Sequence, residues 1–275
     1  MSFLVWFEII GTFKNAHAGN PTPFMSHISH NVILAFAIYL VINRLIIQKN
    51  MQKFQIFLHS FFAFAMTINM FITGGRAGQV AFLVMIGILI FQFFSLSKIK
   101  AFFVTLFVVP AIFISAYLLS PNFSDRVDTG YENISNYSEK KGTSVGYRMT
   151  FTLHSLEIIK NNPIFGVGTG DFPEEYKKIN MIRTPIMNNP TNPHNMYILV
   201  TTQLGLVGLI SFLSIFYFQF KFAFQSKNIF VKNTGFALPA MFLVVMLSDS
   251  YLLGHFTTLM FIFFSAILYK DFENA

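Results

Sequence analysis

The sequence predicts an all-α, polytopic integral membrane protein with about seven transmembrane helices and one large outer loop containing short helices. Apolar residues make up 54% of the chain and charged residues only 11%, whereas about a quarter of the residues of a soluble domain are charged. The mean hydropathy of +0.56 and the 37 phenylalanines point the same way. The apolar runs are too long for strands and do not alternate with polar residues, so they favour helices.

Seven apolar runs have the length and composition expected of spans. In chain order they are residues 31–47, 54–72, 79–97, 101–119, 195–220, 236–253 and 256–269. The last two runs are short or crowded together, which is typical of a helical hairpin. Residues 1–10 lack the basic start of a signal peptide and resemble the tail of a preceding apolar segment. We therefore expect the chain to be the C-terminal part of a longer protein or to have a shifted start.

The distribution of charge predicts the orientation of the spans. The net charge of +7 does not indicate a nucleic-acid partner, because the basic residues are scattered at span ends. Outside the long loop, one face collects all the basic residues except Lys14 and Arg76, namely Arg44, Lys49, Lys53, Lys98, Lys100, Lys221, Lys227, Lys232 and Lys270. The positive-inside rule makes this face cytoplasmic, and long loops cross regardless of charge. We expect residues 1–275 to form a single membrane domain, with residues 120–194 as its outer loop.

A glycine-rich turn precedes the third predicted span. It reads Thr73-Gly74-Gly75-Arg76-Ala77-Gly78. It is either a tight turn whose arginine marks the lipid interface, or an anion clamp in which a guanidinium fork lies beside the N–H groups of a helix start. The orientation favours the clamp, since Arg76 lies on the face that is otherwise depleted of positive charge.

Two further polar positions, Arg148 and His194, are predicted to lie on the same outer face. Arg148 opens a predicted amphipathic helix that lies on the membrane surface, and Asn195 follows His194 as a candidate helix cap. Taken alone, Arg148 is a solvated helix start and His194 an interfacial residue. Together with Arg76 they bring two fixed positive charges and one titratable base to one membrane face, which favours a functional site.

Other features carry less weight. Residues 166–170 read Gly-Val-Gly-Thr-Gly, which predicts a flexible turn, since no βαβ unit surrounds it. Asp249 and His255 flank the last outer turn and either line the site or pack against each other. Three carboxylates at Asp171, Glu174 and Glu175 favour a solvated face over a cation site.

Several of these motifs, in this order, resemble the O-antigen ligase and polymerase superfamily over roughly residues 65–215. The resemblance rests on Gly-Gly-Arg-Ala-Gly at 74–78, Tyr-Arg at 147–148, Asn-Asn-Pro-Ile-Phe-Gly-Val-Gly at 161–168, Pro-His-Asn-Met-Tyr at 193–197 and Gln-Leu-Gly-Leu-Val-Gly-Leu at 203–209. Members of that superfamily usually have about a dozen spans, so this chain resembles one that lacks the N-terminal spans.

The resemblance implies a multi-pass protein of the bacterial inner membrane whose active site faces the periplasm. Its implied reaction moves a polysaccharide from undecaprenyl pyrophosphate to lipid A-core, with inversion and without a cofactor or metal. His194 then serves as catalytic base, and Arg76, Arg148 and Asn195 bind substrate. Membrane lipids are further partners, and nucleic acid is not. An O-antigen polymerase using the same donor is the alternative. A transporter or channel subunit is more remote, because few charged or broken-helix features are visible inside the spans.

Overall fold

The computed structural model describes residues 1–14 and 16–270, so residues 15 and 271–275 of the predicted domain lie outside it. Within the described part, eleven helices and two isolated β-bridges form the secondary structure, which confirms the all-helical prediction. The helices are α1 (Ser2–Trp6), α2 (His27–Ile47), α3 (Lys53–Ile72), α4 (Arg76–Phe93), α5 (Lys98–Leu119), α6 (Pro121–Ser135), α7 (Ser144–Asn161), α8 (Phe172–Arg183), α9 (Met196–Gln225), α10 (Ile229–Val245) and α11 (His255–Leu268).

Each predicted span corresponds to one helix, but the helices differ in length. Among the described residues, five helices are long and apolar enough to cross a membrane: α2, α3, α4, α5 and α9. The helices at the sixth and seventh predicted spans, α10 and α11, have 17 and 14 residues and are shorter than a usual span. The structure therefore supports a multi-pass membrane protein, and the count of seven spans stays a prediction.

The centre of the bundle is formed by α2, α4 and α10, which pack against one another. Buried aromatic and sulfur-containing side chains fill the space between them: Phe36, Tyr39, Met85, Met241 and Phe242. Around this centre, α3 packs on α2, α5 on α4 and α9 on α10. The helices of the predicted outer loop, α6, α7 and α8, follow one another from the end of α3, where the Ser120 hydroxyl donates to the Phe71 carbonyl, and α6 packs on α7 and α7 on α8.

Helix α9 is broken at Gly205, whose φ of 64° and ψ of −163° are not helical. A side chain there would collide with the loop between α7 and α8, because a Cβ would lie 2.1 Å from the Ile164 carbonyl oxygen. That loop bonds to the backbone groups that the break frees. Leu206 N–H donates to the Pro163 carbonyl at 2.9 Å, and the Thr202 carbonyl accepts from Val167 N–H at 3.0 Å.

The same loop contains the glycine-rich segment predicted as a flexible turn. The turn is present, but its first part is fixed, since the N–H of Gly168 donates to the Gln203 carbonyl at 2.9 Å. Gly166 has a φ of 70°, and a Cβ there would lie 2.4 Å from the Gln203 backbone. The predicted flexibility does not extend to this first part, because its N–H groups pair with carbonyls that the break in α9 leaves without helical partners.

Candidate functional site

A cavity of about 420 Å³ opens at the end of the bundle where the α3–α4 turn, α6, α7 and the α10–α11 turn meet. Three of the side chains that line it are arginines, namely Arg76, Arg126 and Arg148. Its other polar lining includes His27, Ser144, Ser248 and Tyr251. The structure thus brings Arg76 and Arg148 together as the sequence predicts, and adds Arg126, which the sequence analysis did not single out.

Arg76 is fixed by a tight crossing of α2 and α4. Gly75 and Gly78 lie against α2 so closely that a Cβ at Gly78 would be 2.3 Å from the Asn31 Cβ. Asn31, buried at this crossing, donates to the Gly75 carbonyl at 3.3 Å and accepts from the Thr73 hydroxyl at 2.5 Å. The glycines therefore serve helix packing, and the packing holds the first residue of α4 at the cavity wall.

His194 is held by its backbone and by a carboxylate. Its φ of 53° is in the left-handed region, which non-glycine residues seldom occupy and which clusters at functional sites. Its Nδ1 lies 2.9 Å from Asp249 Oδ1, and its ring stacks on Phe151 with centroids 6.1 Å apart. Asn192 contributes a further contact, because its side-chain oxygen accepts from His194 N–H at 2.9 Å.

Asp249 joins the histidine to the cavity. Its other oxygen lies 3.7 Å from Arg148 Nη2, so one carboxylate contacts both residues. Burial acts to raise the pKa of Asp249, but the hydrogen bond from His194 and the positive charges of His194 and Arg148 outweigh it and lower the pKa below its ordinary value. An ionised carboxylate only accepts hydrogen bonds, so Nδ1 of His194 carries the proton. In the neutral ring, Nε2 is then the basic atom.

Asn195 forms the N-cap of α9, as its position in the sequence predicts. Its side-chain oxygen accepts from Ile198 N–H at 3.1 Å, and its amide donates to the Leu247 carbonyl at 3.0 Å. These bonds tie the start of α9 to the segment that carries Asp249. Asn195 thus helps to orient His194 towards Asp249, and direct contact of Asn195 with a substrate stays a prediction.

Arg126 was not predicted as a site residue, and Asp249 was given two alternatives, of which lining the site was one. Arg126 stands in a loop helix among acidic neighbours, with no local pattern that distinguishes it from a solvated charge. Asp249 had a weak signal, since a carboxylate next to an apolar run is costly without a partner. Within the described residues, Asp249 forms a hydrogen bond with His194 and an ion pair with Arg148, and neither with His255, which packs edge-on against Phe256.

Within residues 1–14 and 16–270, no group of three or more histidine or acidic side chains is arranged to hold a metal ion. The sequence has no cysteine. The three arginines and His194 can provide anion binding by guanidinium groups and proton transfer by an oriented imidazole.

The fold and the site define a helical protein of membrane type, with an arginine-lined cavity and a carboxylate-oriented histidine at one end of its bundle. The O-antigen ligase family model matches residues 61–213, which is more than half of the chain. The chain therefore belongs to the O-antigen ligase family. The matched range includes Arg76, Arg126, Arg148 and His194, and it ends before Asp249.

A relative from Haemophilus influenzae (strain ATCC 51907 / DSM 11121 / KW20 / Rd), an uncharacterized protein, is 31% identical over 160 residues. The alignment covers 54% of this chain and 39% of the relative. The chain thus spans well under half of the length of that relative.

Proposed function

We propose that this protein transfers a polysaccharide from undecaprenyl pyrophosphate to the outer-core sugar of lipid A-core on the periplasmic face of the inner membrane. The observation that carries the proposal is the chain of contacts from His194 through Asp249 to Arg148 at the edge of an arginine-lined cavity. This arrangement combines a base for the acceptor with cations for the leaving group, which are the two requirements of such a transfer.

The donor side of the reaction needs stabilisation of negative charge. When the bond between the anomeric carbon and the phosphate oxygen breaks, its electron pair stays on the pyrophosphate. Arg76 and Arg148 line the cavity and present guanidinium groups that match phosphate oxygens. Because no nucleotide donor is available outside the cytoplasm, a membrane-held lipid pyrophosphate supplies the activated sugar.

The acceptor side needs removal of one proton. The acceptor hydroxyl oxygen attacks the anomeric carbon, and its proton moves to Nε2 of His194. Asp249 keeps the ring in the tautomer that accepts there and stabilises the imidazolium that results. A single base without a second catalytic carboxylate supports direct displacement with inversion, and the displacement requires no metal or other cofactor.

An O-antigen polymerase is the second candidate, since it uses the same donor and a lipid-linked chain as acceptor. Analysis of surface lipopolysaccharide in a deletion strain distinguishes the two. Free core with accumulated lipid-linked polymer is expected of a ligase, whereas single-repeat caps on the core are expected of a polymerase. Unchanged lipopolysaccharide in the deletion strain would contradict both.

The break in α9 bears on the transporter alternative, because broken helices are frequent at transporter binding sites. In such proteins the free ends of half-helices point at the substrate. Here the loop between α7 and α8 bonds to the backbone of α9 at Thr202, Gln203, Leu206 and Val207. This pairing favours a structural role for the break and gives no support to transport.

A further inference from the structure

Arg126 and Arg76 lie against each other's backbone in a reciprocal arrangement. The Arg76 guanidinium donates to the Arg126 carbonyl at 3.4 Å. It also lies against Gly130, where an added Cβ would be 3.0 Å from the Arg76 Nη1. The Arg126 guanidinium in turn lies against Gly74, where an added Cβ would be 3.2 Å from the Arg126 Nη2. The two glycines leave the room that these side chains occupy.

This arrangement is fixed by the start of α6. The Ser120 hydroxyl donates to the Phe71 carbonyl at 2.8 Å, and the Asn122 amide donates to the Ile72 carbonyl at 3.0 Å. Both acceptors belong to the last turn of α3, two or three residues before Gly74. The helix that carries Arg126 is therefore anchored next to the turn that carries Arg76.

Two like charges so close together are unfavourable without an anion. Helix α6 carries three carboxylates that could neutralise them, but none pairs with either arginine. Asp125 lines a separate, largely apolar cavity between α3 and α5. Asp128 accepts from the Tyr117 hydroxyl at 2.8 Å, and Glu132 pairs with Lys140. Within the described residues, neither Arg76 nor Arg126 forms an ion pair, whereas Arg148 has Asp249 at 3.7 Å.

We propose that Arg126 is a diphosphate-binding residue, which together with Arg76 binds the lipid-side phosphate while Arg148 binds the sugar-side phosphate. This assignment rests on the proposed function, because the base His194 must lie near the anomeric carbon and Arg148 is the arginine connected to it through Asp249. With two cations on one phosphate and one on the other, the site selects diphosphates over monophosphates.

Titration calorimetry of the purified protein in detergent, with inorganic pyrophosphate and inorganic phosphate as probes, tests this assignment. The wild type should prefer pyrophosphate. Arg126→Gln should reduce that preference roughly 10- to 100-fold, the range expected when one charged hydrogen-bonding partner is lost. The substitution leaves the Arg126 carbonyl in position, so the bond to Arg76 should persist.

Arg183→Gln is the matched control, since Arg183 is an exposed arginine of α8 that pairs with Glu157. It removes the same charge outside the cavity and should leave the preference unchanged. Arg126→Lys keeps the charge without the fork and should give an intermediate preference, which also serves as the test if Arg126→Gln does not fold. A wild-type preference in the Arg126 variants, or an equal loss in Arg183→Gln, would overturn the assignment.

His194→Gln separates this assignment from the proposed function. It should keep the pyrophosphate preference and lose transfer. If His194→Gln loses transfer while Arg126→Gln keeps the preference, only the role of Arg126 is wrong. If Arg126→Gln loses the preference while His194→Gln still transfers, the anion site stands and the proposed function is wrong.

Discussion

At the scale of single residues, the site depends on how His194 is held. Its backbone adopts a left-handed conformation between Pro193 and the N-cap Asn195, and its ring lies between Phe151 and Asp249. These three restraints on one residue are more than an interfacial histidine needs. They are what a base requires, because proton transfer depends on distance and direction.

Replacing His194 with alanine tests the general-base role. Transfer should fall by roughly 10²- to 10⁴-fold, the contribution typical of a positioned base. Insertion and abundance should be unchanged, because the ring is partly exposed and the cap at Asn195 remains. The measurement is lipopolysaccharide assembly in a strain that expresses only the variant, with protein level checked in the membrane fraction. Normal lipopolysaccharide from a well-expressed variant would contradict the general-base role and would mean that His194 is an interfacial residue.

Replacing Asp249 with asparagine tests its role as a positioning residue. Asp249 has a pKa below its ordinary value, so it is an ionised acceptor for the Nδ1–H of His194. Asparagine keeps the shape of the side chain, but it can turn its NH2 group towards Nδ1 and carries no charge to stabilise the imidazolium. Transfer by Asp249→Asn should therefore fall strongly while the variant is inserted at normal abundance. The measurement is lipopolysaccharide assembly, with the protein level in the membrane fraction as the control. Wild-type transfer would contradict the positioning role, and loss of the protein from the membrane fraction would mean that Asp249 acts in folding.

The sequence identified Arg76, Arg148 and His194 because each is a polar residue beside an apolar run, which local composition can reveal. It did not identify the contact between His194 and Asp249, since 55 residues separate them and only the packing of α9 on α10 brings them together. Arg126 was missed for a different reason. Its significance depends on Gly74 and Gly130, whose missing side chains leave room for the arginines, and no local pattern shows this.

At the scale of helices, the most unusual element is the interrupted α9. The motif at 161–168 forms the loop that bonds to α9, and the motif at 203–209 contains the break in α9. The two motifs therefore form one structural unit. This pairing also links the C-terminal end of α7 to α9. Arg148 lies near the other end of α7 and His194 lies just before α9, so the pairing holds together the two helices that carry or flank the site.

Gly205→Ala tests the pairing of loop and break. A Cβ at Gly205 would collide with the Ile164 carbonyl. Alanine would also have to adopt the positive φ of this position, and that backbone strain alone costs about 1–3 kcal/mol. The thermal unfolding midpoint of the purified protein should fall. Gly142→Ala is the matched control, since no atom lies within 4 Å of its added Cβ, and its midpoint should match wild type. Equal midpoints for both variants would contradict the proposed pairing.

The apolar runs predicted the positions of the membrane helices well, because length and composition suffice for that purpose. Their ends shifted by a few residues where tertiary contacts extend a helix. For example, α4 begins at Arg76 and not at residue 79, since the Asn31 contacts hold its first turn. The break in α9 was not predicted, because a glycine inside an apolar run is usually tolerated in a helix and only the loop partner shows that the helix is interrupted.

At the scale of the whole molecule, the orientation in the membrane is open to a direct test. The natural sequence has no cysteine, so single introduced cysteines report without background. Cysteines at Ser138 and Thr169 in the loop should react from outside with a membrane-impermeant thiol reagent, and one at Lys227 between α9 and α10 should react only after permeabilisation. Labelling of the Lys227 position alone in intact cells would reverse the orientation and exclude a periplasmic site.

The short helices α10 and α11 have a consequence for the depth of the reaction. Their 17 and 14 residues correspond to roughly 26 and 21 Å, less than the ~30 Å of hydrocarbon in a typical bilayer. Asp249 lies in the turn that joins them, so we expect the protein surface to dip at this point below the level of the surrounding headgroups. A lipid-borne diphosphate could then reach the arginines by lateral diffusion without rising out of its leaflet, while its glycan extends freely into water.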